Sequence, residues 1–147
     1  MKSKPKRISK QAVLAIHERL LAEHGGAPGL LDEGLLDAAL ARPKNHLAYE
    51  QADIFRLAAV FAYAITQNHP FADGNKRVSL TVAGVFLELN AFRLEASEQD
   101  ASNATLALSS RRINESEYAE WLRASSSAQG RRVKHGATGS RKPSKKK

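Results

Sequence analysis

Nine consecutive residues, His69-Pro70-Phe71-Ala72-Asp73-Gly74-Asn75-Lys76-Arg77, bring together an imidazole, a carboxylate, a carboxamide and two cations. These are the parts of a site that handles phosphate. An imidazole with an ordinary pKa of about 6.5 suits removal of a proton from a hydroxyl, so His69 is the candidate general base. Asp73 has two readings. It could cap the helix that follows, or it could hold Mg²⁺, which is ordinarily bound by one carboxylate together with phosphate oxygens and waters. Asn75 could be a first-turn structural residue or a phosphate contact. Lys76 and Arg77 could be a solvated basic pair, but cations one step from an anion-binding turn are explained better by the charge of a triphosphate.

The backbone chemistry of the same run says how it is presented. Pro70 disfavours the right-handed helical conformation at His69, which predicts that a preceding helix stops before His69 and leaves the imidazole at the mouth of a loop in an extended or turn conformation. Phe71 packs inward and anchors that loop. Gly74 permits a positive φ directly before a new helix, whose free N–H groups near Asn75 then face outward as an anion site.

The elements that position this run read almost entirely as helices. Ser9 caps a first helix with apolar positions Val13, Ile16 and Leu20, and Gly25-Gly26 ends it. Leu30 to Arg42 reads as a second helix, capped by Asp32 and stopped at Pro43, with Leu35, Leu36, Ala39 and Leu40 on its inner face. Pro43 to Gln51 lacks periodicity and reads as a loop. Asp53 caps a helix from Ile54 to about Gln67 that is apolar on most of its circumference and therefore central. Asn75 to Leu89 is the next, with Val78, Val82, Val85, Phe86 and Leu89 inward, before a short extended Phe92-Arg93-Leu94. Ser97 with Asp100, and Asn114 with Glu117, have the spacing of capping boxes for helices reaching about Ser110 and Ala124. No segment shows strand alternation. The expected fold is an all-α single domain of about six helices spanning residues 8–124.

The chain has 147 residues, enough for one domain with a substantial core. It has no cysteine, which excludes disulfides and thiolate metal sites and fits a reducing compartment. Cytoplasm is the expected location. The charged N-terminal region is not followed by an apolar signal segment, and the longest apolar stretch, Leu57 to Ile65, is too short to cross a bilayer, so no membrane association is expected.

The net charge of +8 sits at the ends. Residues 11–130 hold all 15 acids against ten of the 23 cations, so the folded part is acidic. The basic stretches are an arm over residues 1–7 and a Ser-, Gly-, Lys- and Arg-rich tail over residues 125–147, expected to be disordered and to make at most loose nucleic-acid contacts.

His69 to Arg77 resembles the signature of the Fic/Doc superfamily, in which His-Pro-Phe, any residue, an acid, Gly and Asn precede a phosphate-binding helix. With Lys76 and Arg77 it resembles the death-on-curing (Doc) branch, the toxin half of bacterial toxin–antitoxin pairs. The likeness extends to Leu31-Asp32-Glu33-Gly34-Leu35-Leu36, Ala41-Arg42-Pro43, Tyr49-Glu50, Asp53-Ile54-Phe55 and Phe86-Leu87-Glu88-Leu89-Asn90, and so to most of residues 8–124.

The resemblance implies a fold and a chemistry. Members that transfer AMP usually have Gly where this chain has Lys76, then Arg, and a second Arg where it has Leu80. The Doc branch binds nucleotide in the reversed sense and phosphorylates a hydroxyl of elongation factor Tu, halting translation. On that pattern His69 is the base, Asp73 holds Mg²⁺, and Gly74, Asn75, Lys76 and Arg77 bind the phosphates of ATP. Phe71 anchors the loop, while Arg42, His46 and Tyr49 occupy the place of a target-docking flap. The partners implied are a cognate antitoxin, whose C-terminal segment folds into a groove, and an elongation factor Tu-like substrate. Two other readings stand beside this one: AMP transfer on the same scaffold, and a nucleic-acid-binding accessory protein.

Overall fold

The computed structural model describes residues 5–50 and 53–129, with the backbone alone from residue 44 to residue 50. Six helices and one small sheet follow in chain order: α1 (Lys10–His24), α2 (Glu33–Glu50), α3 (Ile54–Asn68), α4 (Asn75–Leu89), β1 (Phe92–Leu94), α5 (Glu98–Ser109), α6 (Glu115–Ala124) and β2 (Ser126–Ala128).

Helix α3 is the hub. Phe55, Leu57, Val60, Phe61 and Ile65 are buried on several of its sides, and α2, α4, α5 and α6 all pack against it. Fully burying one such side chain contributes roughly 1.5–3 kcal/mol, so the helix needs neighbours all round to be stable. Helix α4 gives Val78, Val82, Phe86 and Leu87 to the same core, and the Phe61 and Phe86 rings meet at 5.1 Å and 58°, a tilted aromatic pair. Because α3 and α4 are the two helices joined by the His69–Gly74 loop, the best-buried part of the molecule frames the motif.

Local capping chemistry sets most boundaries. Side chains of Ser9, Asp32, Asp53, Ser97 and Asn114 accept backbone N–H groups in the first turns of α1, α2, α3, α5 and α6 respectively. Asn114 and Glu117 form a reciprocal capping box.

Four expectations need correction. Leu30 lies outside α2 and forms an isolated antiparallel bridge with Phe71. The stretch expected as a loop after Pro43 is helical to Glu50. Pro43 is buried and falls in register with Leu36, Ala39 and Leu40, so its ring continues the packed face. That burial offsets the missing N–H, which ordinarily interrupts a helix. Leu35 and Leu89, read as inward, are 39% and 41% exposed. Finally, the start of the presumed tail is ordered: Ser126–Ala128 pairs antiparallel with Phe92–Leu94, Leu94 opposite Ser126. The first strand is the extended Phe92-Arg93-Leu94 expected from the sequence; its partner was not legible, because three small residues, Ser126, Ser127 and Ala128, show no alternation. Residues 1–4 of the basic arm and 130–147 of the tail lie outside the described residues.

Candidate active site

The motif begins where α3 ends. His69 is the C-cap of α3, with φ 49° and ψ 56°, and its N–H reaches the Ile65 carbonyl at 3.1 Å. Of the extended or turn conformation expected before a proline, the structure has the turn: His69 is left-handed, the conformation in which many helices end. A non-glycine residue held in that region stores strain, and such strain persists where surrounding structure enforces it. The enforcement is visible. Pro70 accepts Leu31 N–H at 2.7 Å, and Ala72 donates to the Gly29 carbonyl at 3.0 Å, so the loop is laced to the segment between α1 and α2.

Phe71 is buried at 1% exposure, as expected of the loop anchor. The Asn75 carboxamide grips its backbone at both ends, accepting the Phe71 N–H at 3.1 Å and donating to the Phe71 carbonyl at 2.9 Å. The same nitrogen stands 3.4 Å from His69 Nδ1. That distance is at the long end for a hydrogen bond. His69 itself is exposed.

Asp73 does not cap α4. Its Oδ1 accepts the N–H of Gly74 at 2.9 Å and its Oδ2 accepts the N–H of Ala27 at 3.3 Å. Gly74, at φ 85°, is the N-cap of α4 and supplies no side chain. Among the six helices, α4 is therefore the one whose N-terminus has no capping side chain. The N–H groups of Asn75, Lys76 and Arg77 have no acceptor among the described residues. An uncapped N-terminus carries a positive partial charge and directed donors, the arrangement that binds an anion. Lys76 and Arg77 are exposed and form no ion pair among the described residues, so both charges remain free to join it.

These groups line one wall of a cleft of about 350 Å³, with Leu80 below them and Ser102, Asn103, Thr105 and Leu106 of α5 opposite. No cluster of three or more ligating side chains exists among the described residues. A hard cation held here would have Asp73 as its protein ligand and take its other oxygens from phosphate and water. That fits Mg²⁺, and each Asp73 oxygen, engaged by a single N–H, keeps a lone pair for it.

Not every expected residue joins the cleft. Arg42 turns to Glu115 on α6 at 3.0 Å and lies over the Tyr63 ring, 5.8 Å from its centroid. The side chains of His46 and Tyr49 lie outside the described residues. Conversely, sequence reasoning missed two sets of supports. His17 of α1 stacks on Phe71 at 3.9 Å and reaches the Asp73 carbonyl oxygen at 3.0 Å. Gly26, at φ 124°, lets backbone pass so close to the Asp73 carboxylate that a Cβ would stand 2.9 Å from Oδ2. The signals were a histidine on the buried stripe of α1 and more glycines after Gly25 than a helix stop requires. The α5 wall carried no signal, since Ser102 and Asn103 read as ordinary solvent-facing positions.

Comparison with known proteins covers the same stretch of chain. The family model of the Fic/DOC family matches residues 7–87, which include the whole motif. The chain is 32% identical over 117 residues to "Protein kinase doc" of Escherichia phage P1, covering 79% of this chain and 92% of that one. It is 38% identical over 76 residues to "Toxin Doc" of Mycolicibacterium smegmatis, covering 49% and 57%.

Proposed function

This chain belongs to the Fic/DOC family, and on that premise we propose that it is a Doc-type toxin. In this reading it transfers the γ-phosphate of ATP to a hydroxyl of an elongation factor Tu-like protein and so halts translation. The observation that carries the reading is the uncapped N-terminus of α4, which opens on a cleft and is flanked by Lys76 and Arg77, both unpaired among the described residues. The exposed His69 imidazole does not line that cleft but meets one of its lining residues, Asn75, at 3.4 Å.

The chemistry follows from the residues. The amides of Asn75, Lys76 and Arg77 bind phosphate oxygens, and the two side-chain cations offset charge that builds on them during transfer. Asn75 acts through its backbone, because its side chain is spent on Phe71. His69 takes the proton of the incoming hydroxyl, whose oxygen bonds to the γ-phosphorus as the bond to the β–γ bridging oxygen breaks and ADP leaves. Asp73 would hold Mg²⁺, which supplies further charge neutralisation on the phosphates.

Leu80 favours phosphotransfer over AMP transfer. It lines the cleft where AMP-transferring relatives carry a second arginine, so one guanidinium fewer is present to hold an α-phosphate. Restraint by a cognate antitoxin accords with exposed Leu31 and Leu35, apolar surface beside the motif that a partner segment would cover. Among the described residues no helix is long and apolar enough to cross a membrane.

The test is ATP labelled at either end. Incubation with Mg²⁺ and elongation factor Tu should transfer label from the γ position. Label transferred only from the α position would replace this reading with AMP transfer, and salt-sensitive nucleic-acid binding without any transfer would replace both.

A further inference from the structure

We infer that His17 is a positioning residue of this site: its Nε2–H fixes the plane of the Asp73–Gly74 peptide and thereby aims the Asp73 carboxylate and the opening amides of α4 at the cleft. The ligand named in the test rests on the nucleotide reading above; the mechanics rest on geometry alone.

His17 is 6% exposed, and a buried imidazole needs a polar partner. Its Nε2 lies 3.0 Å from the Asp73 carbonyl oxygen. A carbonyl oxygen only accepts, so Nε2 carries the hydrogen. The ring also stacks on Phe71, with planes 17° apart, so one side chain holds the loop at an apolar point and at a polar one.

The consequence runs through the peptide plane. In a trans peptide the C=O and N–H point in opposite directions. Drawing the Asp73 carbonyl toward α1 therefore turns the Gly74 N–H away from His17, where it donates to Asp73 Oδ1 at 2.9 Å. Asp73 Oδ1 is thereby tied to the peptide plane, while Oδ2 accepts the Ala27 N–H at 3.3 Å. A lock is required because glycine occupies either sign of φ with ease, so the backbone at Gly74, here at φ 85°, does not select the plane by itself. His17 lies close enough to do so: a Cβ built on Gly74 would stand 3.8 Å from its Cδ2.

Two variants separate the donor from the ring. His17→Phe keeps an aromatic ring against Phe71 and removes the N–H. His17→Gln offers an amide N–H at comparable reach and gives up the stack. Calorimetric titration of magnesium–ATP into each full-length protein should show His17→Phe weakened by about tenfold, with His17→Gln closer to the parent. In ligand-free parent, long-range ¹H–¹⁵N spectra should place a proton on His17 Nε2, and the Gly74 amide resonance should move in His17→Phe. Equal affinity in parent and His17→Phe overturns the inference, and so does His17→Gln binding as poorly as His17→Phe. A parent imidazole with its only proton on Nδ1 overturns it too, whether or not the variants fold. If the parent binds no nucleotide while the Nε2 proton and the Gly74 shift are both observed, the lock stands and the nucleotide reading is what fails.

Discussion

The side-chain amide of Asn75 closes a two-pronged hydrogen bond on the backbone of Phe71, at 3.1 Å to the N–H and 2.9 Å to the carbonyl. Both prongs are buried, so replacing either end leaves a polar group without water. Asn75→Ala strands the Phe71 N–H and carbonyl together and should cost about 2–4 kcal/mol. Asn75→Asp keeps an acceptor for the N–H but turns a carboxylate oxygen toward the carbonyl, and should cost nearly as much. Urea denaturation measures both. A loss below about 0.5 kcal/mol in the alanine variant would mean that the loop repairs itself with water.

His69 carries the opposite trade. It is exposed and sits at φ 49°, where glycine is at ease and other residues are not. His69→Gly should therefore raise stability by about 1 kcal/mol while lowering transfer by about 10² to 10⁴, the usual range for loss of a general base. Thermal melts and the labelled-ATP assay report the two effects separately. A folded glycine variant that retained transfer would remove His69 from the chemistry.

The legible parts of the molecule are those whose signals are local. Asn75–Leu89 and Glu115–Ala124 have the bounds that Gly74, Asn90 and the Asn114–Glu117 box announce. The His69–Arg77 run was legible as a motif because its residues are contiguous. What could not be read depends on partners distant in sequence. His17 meets Asp73 across 56 positions, Ala27 supplies an amide to the same carboxylate, and Arg42 is claimed by Glu115. Pro43 misled because its helix-breaking tendency is local while the burial that overrides it is not.

Lys76 and Leu80 should decide which phosphate reacts. Lys76 is exposed and unpaired among the described residues, so Lys76→Gly should change stability by no more than about 1 kcal/mol, the helix-propensity cost of glycine. It should nonetheless weaken γ-phosphate transfer. Adding Leu80→Arg places a second guanidinium in the cleft and should raise label transfer from the α position relative to the γ position. If Lys76→Gly alone phosphorylates as fast as the parent, the lysine is not what orients the nucleotide.

Asp53 ties the head of α3 to α6 and gives the fold an acid-sensitive point that is not part of the cleft. Burial alone would raise its carboxyl, but Arg123, at 2.8 Å, and the backbone N–H groups of Arg56 and Phe55 outweigh that and hold it below its ordinary value. A carboxyl lowered in the folded state adds stability that is complete above its unfolded pKa and is lost as pH falls through the folded one. Asp53→Asn isolates the charge, because an amide oxygen still accepts the Arg56 N–H and so preserves the cap. Both members of the pair are about half exposed, so at neutral pH the variant should be less stable by no more than about 1 kcal/mol, and by less in high salt. The gap should begin to close once pH drops below about 4 and vanish when the parent carboxyl is protonated. Melting curves of parent and variant at descending pH test this. A difference that survived full protonation would assign the effect to packing of the residue 53 side chain and not to its charge.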